Sequence, residues 1–381
     1  MQVKQVYNLV NDITKQYLGE TAVLAEDLSN IVDVGTALFN ATDVDNYVKS
    51  LVDRIAKVVF VARPYSGNVP SVLMDSFEYG AVVQKVSTDL PTATSNASWA
   101  LEDGQEYNPN IFHKPALSVK FFNNKYTFEV EMSFTERQVK ESFASASEVN
   151  SFLTMLYNAV EKSFTVKIDG LIMSTINNMI GETINADTSG LKAVNLLAGY
   201  NDHFGKTLTA AKAVTDPDFI RYASMQMGLY IDRLSRMSKL FNVGGKDRFT
   251  PKDLLHVVML SEFKAAANAY LQSETFHNEF TALPQAETVP FWQGSGTDFA
   301  FASTSKIHVN LASDSTKTVE QGGILAVMFD REALGVCNLE RRVTTNFNPK
   351  GEFFNNFYKM EAGSFNDLNE NFVVFFIEDE T

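Results

Sequence analysis

A single cysteine, Cys337, is all the thiol the chain contains, so no intrachain disulfide and no thiolate metal cluster can form, which fits a reducing compartment. It sits in GVCNLE, without a motif that would mark a nucleophile, and reads as a small apolar residue in a strand. No segment approaches the roughly 20 consecutive apolar residues of a membrane-spanning helix. The start, MQVKQVYNLVNDITKQYLGE, has no uninterrupted apolar core with a small-residue cleavage site, so it does not read as a secretory signal. The expectation is a protein made and kept soluble in cytoplasm, where the sequons at Asn40 and Asn96 carry no weight. Positive charge is also short. Thirty-two Lys and Arg face 46 Asp and Glu, a formal net charge of −14, and broad binding to nucleic acid needs clustered cations that release phosphate counterions. Tandem repeats and low-complexity tracts are missing.

Catalytic constellations are missing as well. The histidines His113, His203, His256, His277 and His308 never fall at HxxxH or a similar ligand spacing. Gly294 to Gly296 (GSG) and Gly244-Gly245 lack the Walker pattern and the spaced third glycine of a dinucleotide loop. Lys246 follows the second pair without a Ser or Thr behind it, so both stretches read as turns. There is no GxSxG elbow. The carboxylate pairs Glu129/Glu131 and Glu102/Asp103 read as solvated charges of an acidic protein rather than a general acid and base. Arg341-Arg342 with Lys350 is too small for a duplex-binding surface, and reads either as exposed charges at strand ends or as a salt-bridging loop at a symmetry axis. No residue is assigned a catalytic, cofactor-binding or metal-ligating role, and no cofactor is expected.

What remains is an ordered globular composition, 45% hydrophobic and 20% charged, enough for one large core or two smaller ones. Thirty Phe and thirteen Tyr are a heavy aromatic load, and aromatic area dominates cores and subunit interfaces. Residues 1–62 look like an extended arm with short helical pieces, the second ending at Pro64. FEYGAVVQKVS then faces LSVKFF and YTFEVEMSF across the polar middle TDLPTATSNASWALEDGQEYNPN, with Tyr126, Phe128, Val130, Met132 and Phe134 alternating as a half-buried strand requires. Such a two-stranded excursion is marginal alone and must lean on something else, a neighbouring subunit being one option. Ser145 and Glu148 have capping-box spacing, and behind them Val149, Phe152, Leu156, Val160, Phe164, Ile168, Ile172, Ile176 and Ile180 keep helical spacing to Gly181. That helix would run on the order of 50 Å. Asp216-Pro217 opens a second long helix expected to reach about Phe241, stopped by Gly244-Gly245. LLHVVML then leads as a strand into the helix SEFKAAANAYL, with strands at KIHVNL, GGILAVMFD and the aromatic-polar C-terminal stretch. The order implies an α+β chain whose ends are not in separate domains.

SLVDRIAKVVF at 50–60 and NPKGEFFNNFYKMEAGSFNDLNENFVVFFI at 348–377 resemble segments of the major capsid proteins of tailed bacteriophages, in particular the phi-29-like podophages. The resemblance follows the order of elements over most of the chain. It implies the Hong Kong-97 (HK-97-like) fold, with an N-terminal arm at 1–62, an E-loop hairpin at 63–125, and a first P-domain part at 126–189 with its spine helix at about 147–181. An A-domain at 190–325 and returning P-domain strands at 326–381 complete it. The implied function is self-assembly as hexamers and pentamers into the icosahedral or prolate shell around the phage genome, in a virion capsid assembled in the host bacterial cytoplasm. The implied partners are the chain itself, a scaffolding protein, a portal protein at one vertex, and head-fibre or decoration proteins. Double-stranded DNA is enclosed without specific binding, which suits the negative charge, and no membrane is involved. A fused scaffolding segment and an appended immunoglobulin-like domain are not expected. Encapsulin-like nanocompartment shells share the fold and remain an alternative, as does a soluble carboxylate-dependent hydrolase, which would need two acids converging in a deep pocket. A phage fibre would need β-repeats and trimer-forming heptads, which the sequence lacks.

Overall fold

The computed structural model describes residues 29–39, 69–74, 83–96, 99–135, 146–274, 286–292 and 305–379, with isolated positions at 7, 10–12, 14–15, 24–25, 137–138 and 141. Most of the expected arm, SLVDRIAKVVF, Ser145, His277 and the 294–296 turn lie outside the described residues. In chain order the elements are α1 (Ile31–Phe39), β1 (Leu73–Met74), β2 (Val83–Thr88), β3 (Leu117–Phe122), β4 (Asn124–Thr135) and α2 (Ala146–Ala186). Next come β5 (Ala193–Asn195), α3 (Leu196–Phe204), α4 (Ala210–Ala213), α5 (Pro217–Leu234), β6 (Leu255–Leu260), α6 (Ser261–Glu274) and β7 (Glu287–Val289). The chain closes with β8 (Ile307–Asn310), β9 (Thr318–Gln321), β10 (Ile324–Asp330), β11 (Leu334–Asn348), β12 (Phe353–Asn366) and β13 (Phe372–Phe376).

Two compact units result, one of residues 1–79, 125–172 and 336–363, the other of 80–124, 173–335 and 364–381. Three of the boundaries fall inside α2, β11 and β12 and a fourth at the start of β4, so each unit is discontinuous in sequence.

The first unit holds the sheet β1-β11-β12-β4. Alternation decides its faces: Phe354, Asn356, Tyr358, Met360 and Ala362 of β12 are buried while their neighbours are half-exposed. Asn356 is buried at no unmet polar requirement, because its amide donates to the Met132 carbonyl at 3.3 Å and its side-chain oxygen accepts from Thr345 at 3.0 Å. The pair Arg341-Arg342 lies in the middle of β11, not at a strand end or in a loop. Arg341 is largely buried and reaches Glu161 of α2 at 3.1 Å, and Arg342 reaches Glu361 of β12 at 2.8 Å. Sequence spacing missed this because the long strand reads through the charges.

α2 has 41 residues, about 60 Å of rise. It begins amphipathic, with Leu156, Val160, Phe164 and Ile168 buried, and from 168 to 183 every position but Asn178 is buried. Gly181 does not end it, contrary to the spacing argument: the helix runs five residues further, to Ala186. A Cβ at Gly181 would stand 3.4 Å from Val309 and Leu311, so the glycine serves the close approach of β8. The turn after the helix is made by Asp187, whose carboxylate accepts the backbone N–H groups of Ser189, Lys192 and Ala193 at 3.0, 3.0 and 2.7 Å. Burial opposes its charge, but those bonds win and hold the carboxyl below its ordinary range.

The second unit is built on the sheet β5-β13-β10-β6-β7. β10 is buried at every position and pairs antiparallel with β13 and β6; β13 is buried throughout as well. Continuous apolar runs rather than alternation are what a doubly covered sheet requires. Gly323 opens β10 at φ +64°, where a Cβ would lie 2.2 Å from the Ile377 carbonyl oxygen, so no other residue fits. α5 starts as expected, with Asp216 accepting the Phe219 N–H at 2.9 Å and Pro217 in the first turn. It stops at Leu234 rather than near Phe241. The Leu234 carbonyl takes the Thr250 N–H at 2.8 Å, the Phe241 carbonyl takes the Phe372 N–H at 2.9 Å, and Phe241 packs edge-on against Tyr230. Tertiary hydrogen bonds outcompete another two turns of helix.

Candidate assembly interface

β2 and β3 pair antiparallel, with Lys85 opposite Lys120, Val86 opposite Val119, Ser87 opposite Ser118 and Gln84 opposite Phe121. One face therefore carries Lys85, Lys120, Ser87 and Ser118, with Phe122 at its root, and the other carries Val86, Leu117, Val119 and Phe121 beside Gln84 and Thr88. Exposure runs opposite to the usual rule. Lys85, Ser87, Ser118 and Lys120 are half-buried, whereas Val86, Leu117, Val119 and Phe121 face solvent, Phe121 at 65%. The expectation that this hairpin leans on something is met by its own chain, and on its polar side.

Two lysines directly opposite each other repel, and the structure compensates with carboxylates from the loop between β12 and β13. Asp367, 2% exposed, stands 3.1 Å from the Lys85 ammonium and 2.9 Å from that of Lys120. Glu370 accepts from Lys85 at 2.7 Å and from Arg248 at 3.1 Å. Farther along the hairpin, Lys246 holds Asp89 at 2.8 Å, and the Ser87 and Ser118 hydroxyls meet at 2.8 Å. Burial alone would lower the Lys85 ammonium, yet its bonds to Glu370 and Asp367 hold it above the ordinary lysine value. Burial likewise opposes the Asp367 charge, and the bonds from Lys120 and the Asn369 N–H hold its carboxyl below the ordinary range. A carboxyl lowered in the folded state stabilises above its ordinary value, and that stabilisation is lost as pH falls through the lowered one. The cluster is thus intact at neutral pH; the Asp367 contribution is lost in acid, and the Lys85 contribution is lost as pH rises through its raised value.

Beyond the paired strands, residues 89–116 carry Leu90, Trp99, Leu101, Tyr107, Ile111 and Phe112, all exposed, Trp99 completely. Together with the outer strand face they make far more exposed apolar and aromatic surface than a solvated loop needs. Such residues are the anchors of protein interfaces. Glu102, Asp103 and His113 lie exposed on the same tip.

Among the described residues, the other chemistry-bearing side chains stand apart from one another. His203 is exposed beside Phe204, His256 is half-buried in β6 with its pKa lowered by burial, and His308 reaches Glu320 at 2.6 Å on the β8–β9 hairpin. Among the described residues no three of His, Cys, Asp and Glu come together to hold a metal ion. Glu129 pairs with Lys359 at 3.0 Å, Glu131 is exposed, and Lys350 is exposed in the β11–β12 turn. Gly244 and Gly245 form a turn pressed onto Asn369, with Gly245 at φ +62°. Among the described residues, a cavity of about 420 Å³ is lined by Leu255, His256, Val257, Lys264, Ala286 and a single carboxylate, Glu287. Cys337 is buried in β11, and burial pushes its thiol up to about 11. Treatment of the folded subunit at pH 8 with an alkylating reagent is expected to leave Cys337 unmodified, full reaction appearing only in denaturant; mass spectrometry distinguishes the two.

Comparison with known proteins points one way. The major capsid protein of Bacillus phage B103 is 23% identical over 170 residues, 43% of this chain and 36% of that protein, so the match spans about a third of the relative's length. Among solved structures, the capsid of Staphylococcus phage Andhra superposes with a TM-score of 0.51 at 10% identity, covering 84% of this chain and 86% of the other. A chain from the structure of the head fibre and inner core protein of bacteriophage P68 gives 0.50 at 8% identity, covering 83% and 86%. At such identities these likenesses speak to the fold, which is the HK-97-like capsid fold. The family model for the Phi29-like phage major capsid protein matches residues 8–376, nearly the whole chain, and with the hairpin, the long helix and the two sheets in the order described, the chain belongs to the Phi29-like phage major capsid protein family.

Proposed function

We propose that this chain is the shell subunit of a phage head: it assembles with copies of itself, as hexamers and pentamers, into a closed icosahedral or prolate capsid around double-stranded DNA. The observation that carries this reading is the hairpin with its polar face tied down and its apolar face and aromatic tip turned to solvent. A monomer gains nothing from that arrangement, whereas a neighbouring subunit covering the apolar face would bury the anchors and make particle stability inseparable from association. One surface patch used repeatedly closes into a shell when the rotation between neighbouring subunits closes.

In this reading residues 1–62 are the arm, 63–125 the E-loop, 126–189 the first P-domain part with the spine helix, 190–325 the A-domain and 326–381 the returning P-domain strands. The chain carries out no catalysis and needs no cofactor. A scaffolding protein directs assembly in the host cytoplasm, a portal occupies one vertex, head-fibre or decoration proteins add to the surface, and the DNA is enclosed without specific binding, in keeping with the −14 charge.

Sedimentation and negative-stain microscopy of the purified chain, with and without its co-expressed scaffolding partner, test this. Closed shells or hexameric capsomers are expected. A compact monomer under both conditions would sink the reading.

A further inference from the structure

We propose that Asp367 and Glu370 are positioning residues for assembly: from the β12–β13 loop they clamp the inner lysines of the β2–β3 hairpin and thereby decide which face of it meets another subunit. This rests on the reading of the hairpin's outer face as an assembly surface, and it goes beyond it by naming what aims that surface.

The geometry favours a clamp over incidental ion pairing. Lys85 and Lys120 are register partners on adjacent strands, and a single carboxylate, Asp367, takes both at 3.1 and 2.9 Å. Glu370 ties the same Lys85 to Arg248, and Glu332 of the β10–β11 turn also reaches Lys85, at 3.3 Å, so the hairpin is fixed to more than one stretch of chain. Both carboxylates are nearly fully buried; ion pairs on open surface are worth little, but shielded and shared ones are not. Asp367 itself is held, accepting the Asn369 N–H at 3.1 Å, and its own N–H donates to the Ala333 carbonyl at 2.7 Å. The Phe122 ring packs against Phe365 at 5.3 Å at the root of the same hairpin. A two-stranded ribbon has no stability of its own to resist rotation, and with period-2 alternation a half-turn of the ribbon would put the apolar face where the lysine face is.

Hydrogen exchange on the unassembled full-length subunit, followed by an assembly assay, tests the clamp in Asp367→Asn and, separately, in the double variant Lys85→Met/Lys120→Met. Amides of β2 and β3 are expected to exchange roughly tenfold faster in both, with β10 and β13 unchanged, and shell yield is expected to fall although the outer-face residues are untouched. Unchanged exchange in β2 and β3 in either well-folded variant would overturn the proposal. So would loosening that spreads to β10 and β13 in both variants, which would make these residues parts of the core and nothing more. If one variant alone loosens the core, the other decides. Because exchange is read before assembly, a wild-type chain that forms no shells would overturn the assembly reading and leave the clamp result standing.

Discussion

Phe121→Ser combined with Trp99→Ser is expected to abolish closed particles while leaving the subunit folded. Both side chains are exposed, Phe121 at 65% and Trp99 completely, so the isolated subunit loses almost nothing; surface substitutions of this kind fall within about 0.5 kcal/mol. In an assembled particle the same rings would be covered, and a buried aromatic anchor at an interface contributes about 2 kcal/mol or more per contact. The loss recurs at every subunit of a closed shell, so a modest effect per contact becomes an all-or-none effect on the particle. Sedimentation reads the particles, and circular dichroism with thermal unfolding reads the subunit. Wild-type shell yield from the double variant would show that this face is not the contact. Lost shells together with a lowered melting temperature would instead mean that the rings support the fold.

Removing Arg341 is expected to be the most damaging single change outside the hydrophobic cores. Arg341 and Glu161 meet at 3.1 Å with side chains 19% and 11% exposed, and the guanidinium also lies 5.8 Å over the Phe164 ring. Breaking such a pair strands the partner charge away from water, at about 3–5 kcal/mol. Burial already raises the Glu161 carboxyl above its ordinary value, with Arg341 pulling it down. A carboxyl with a raised folded-state value binds its proton more tightly when folded, so its favourable contribution is complete below the ordinary carboxylate range and is lost as pH rises through the raised value. In Arg341→Met that opposing pull disappears and the value rises further. The deficit measured by denaturant unfolding should therefore be largest at neutral pH and shrink on acidification, while Glu161→Gln/Arg341→Met recovers most of the stability and loses the pH dependence. A deficit that does not change with pH would mean that Arg341 acts through packing on Phe164.

Much of this architecture was legible in residue spacing. Tyr126 to Phe134 alternate and form β4; the apolar series from Val149 to Ile180 forms α2; Asp216-Pro217 opens α5 with the cap its residue types imply. These signals are local, because side-chain period and capping chemistry act within a few residues. Helix ends were less legible. Gly181 and Gly244 look like stops, but their lack of a Cβ serves the close approach of Val309 and Leu311 in one case and of Asn369 in the other, while Gly245 supplies the positive φ of a turn. A sequence cannot distinguish a glycine that ends an element from one that lets another element come near.

By itself the sequence determined that the chain is acidic and aromatic-rich, that its one thiol can form no intrachain disulfide, and that a polar two-stranded excursion precedes an unusually long helix. Each follows from composition or from a period of two or of 3.6. Only the tertiary structure decided which face of the hairpin is turned outward. Alternation says that β2 and β3 have a lysine side and an apolar side, and the ordinary expectation would bury the apolar one. The choice was made by Asp367, 247 residues from Lys120, and by Glu370, which reaches Lys85 across 285. Charge pairing at that separation exists only once the strands and loops are in place, which is why no window along the chain could contain it.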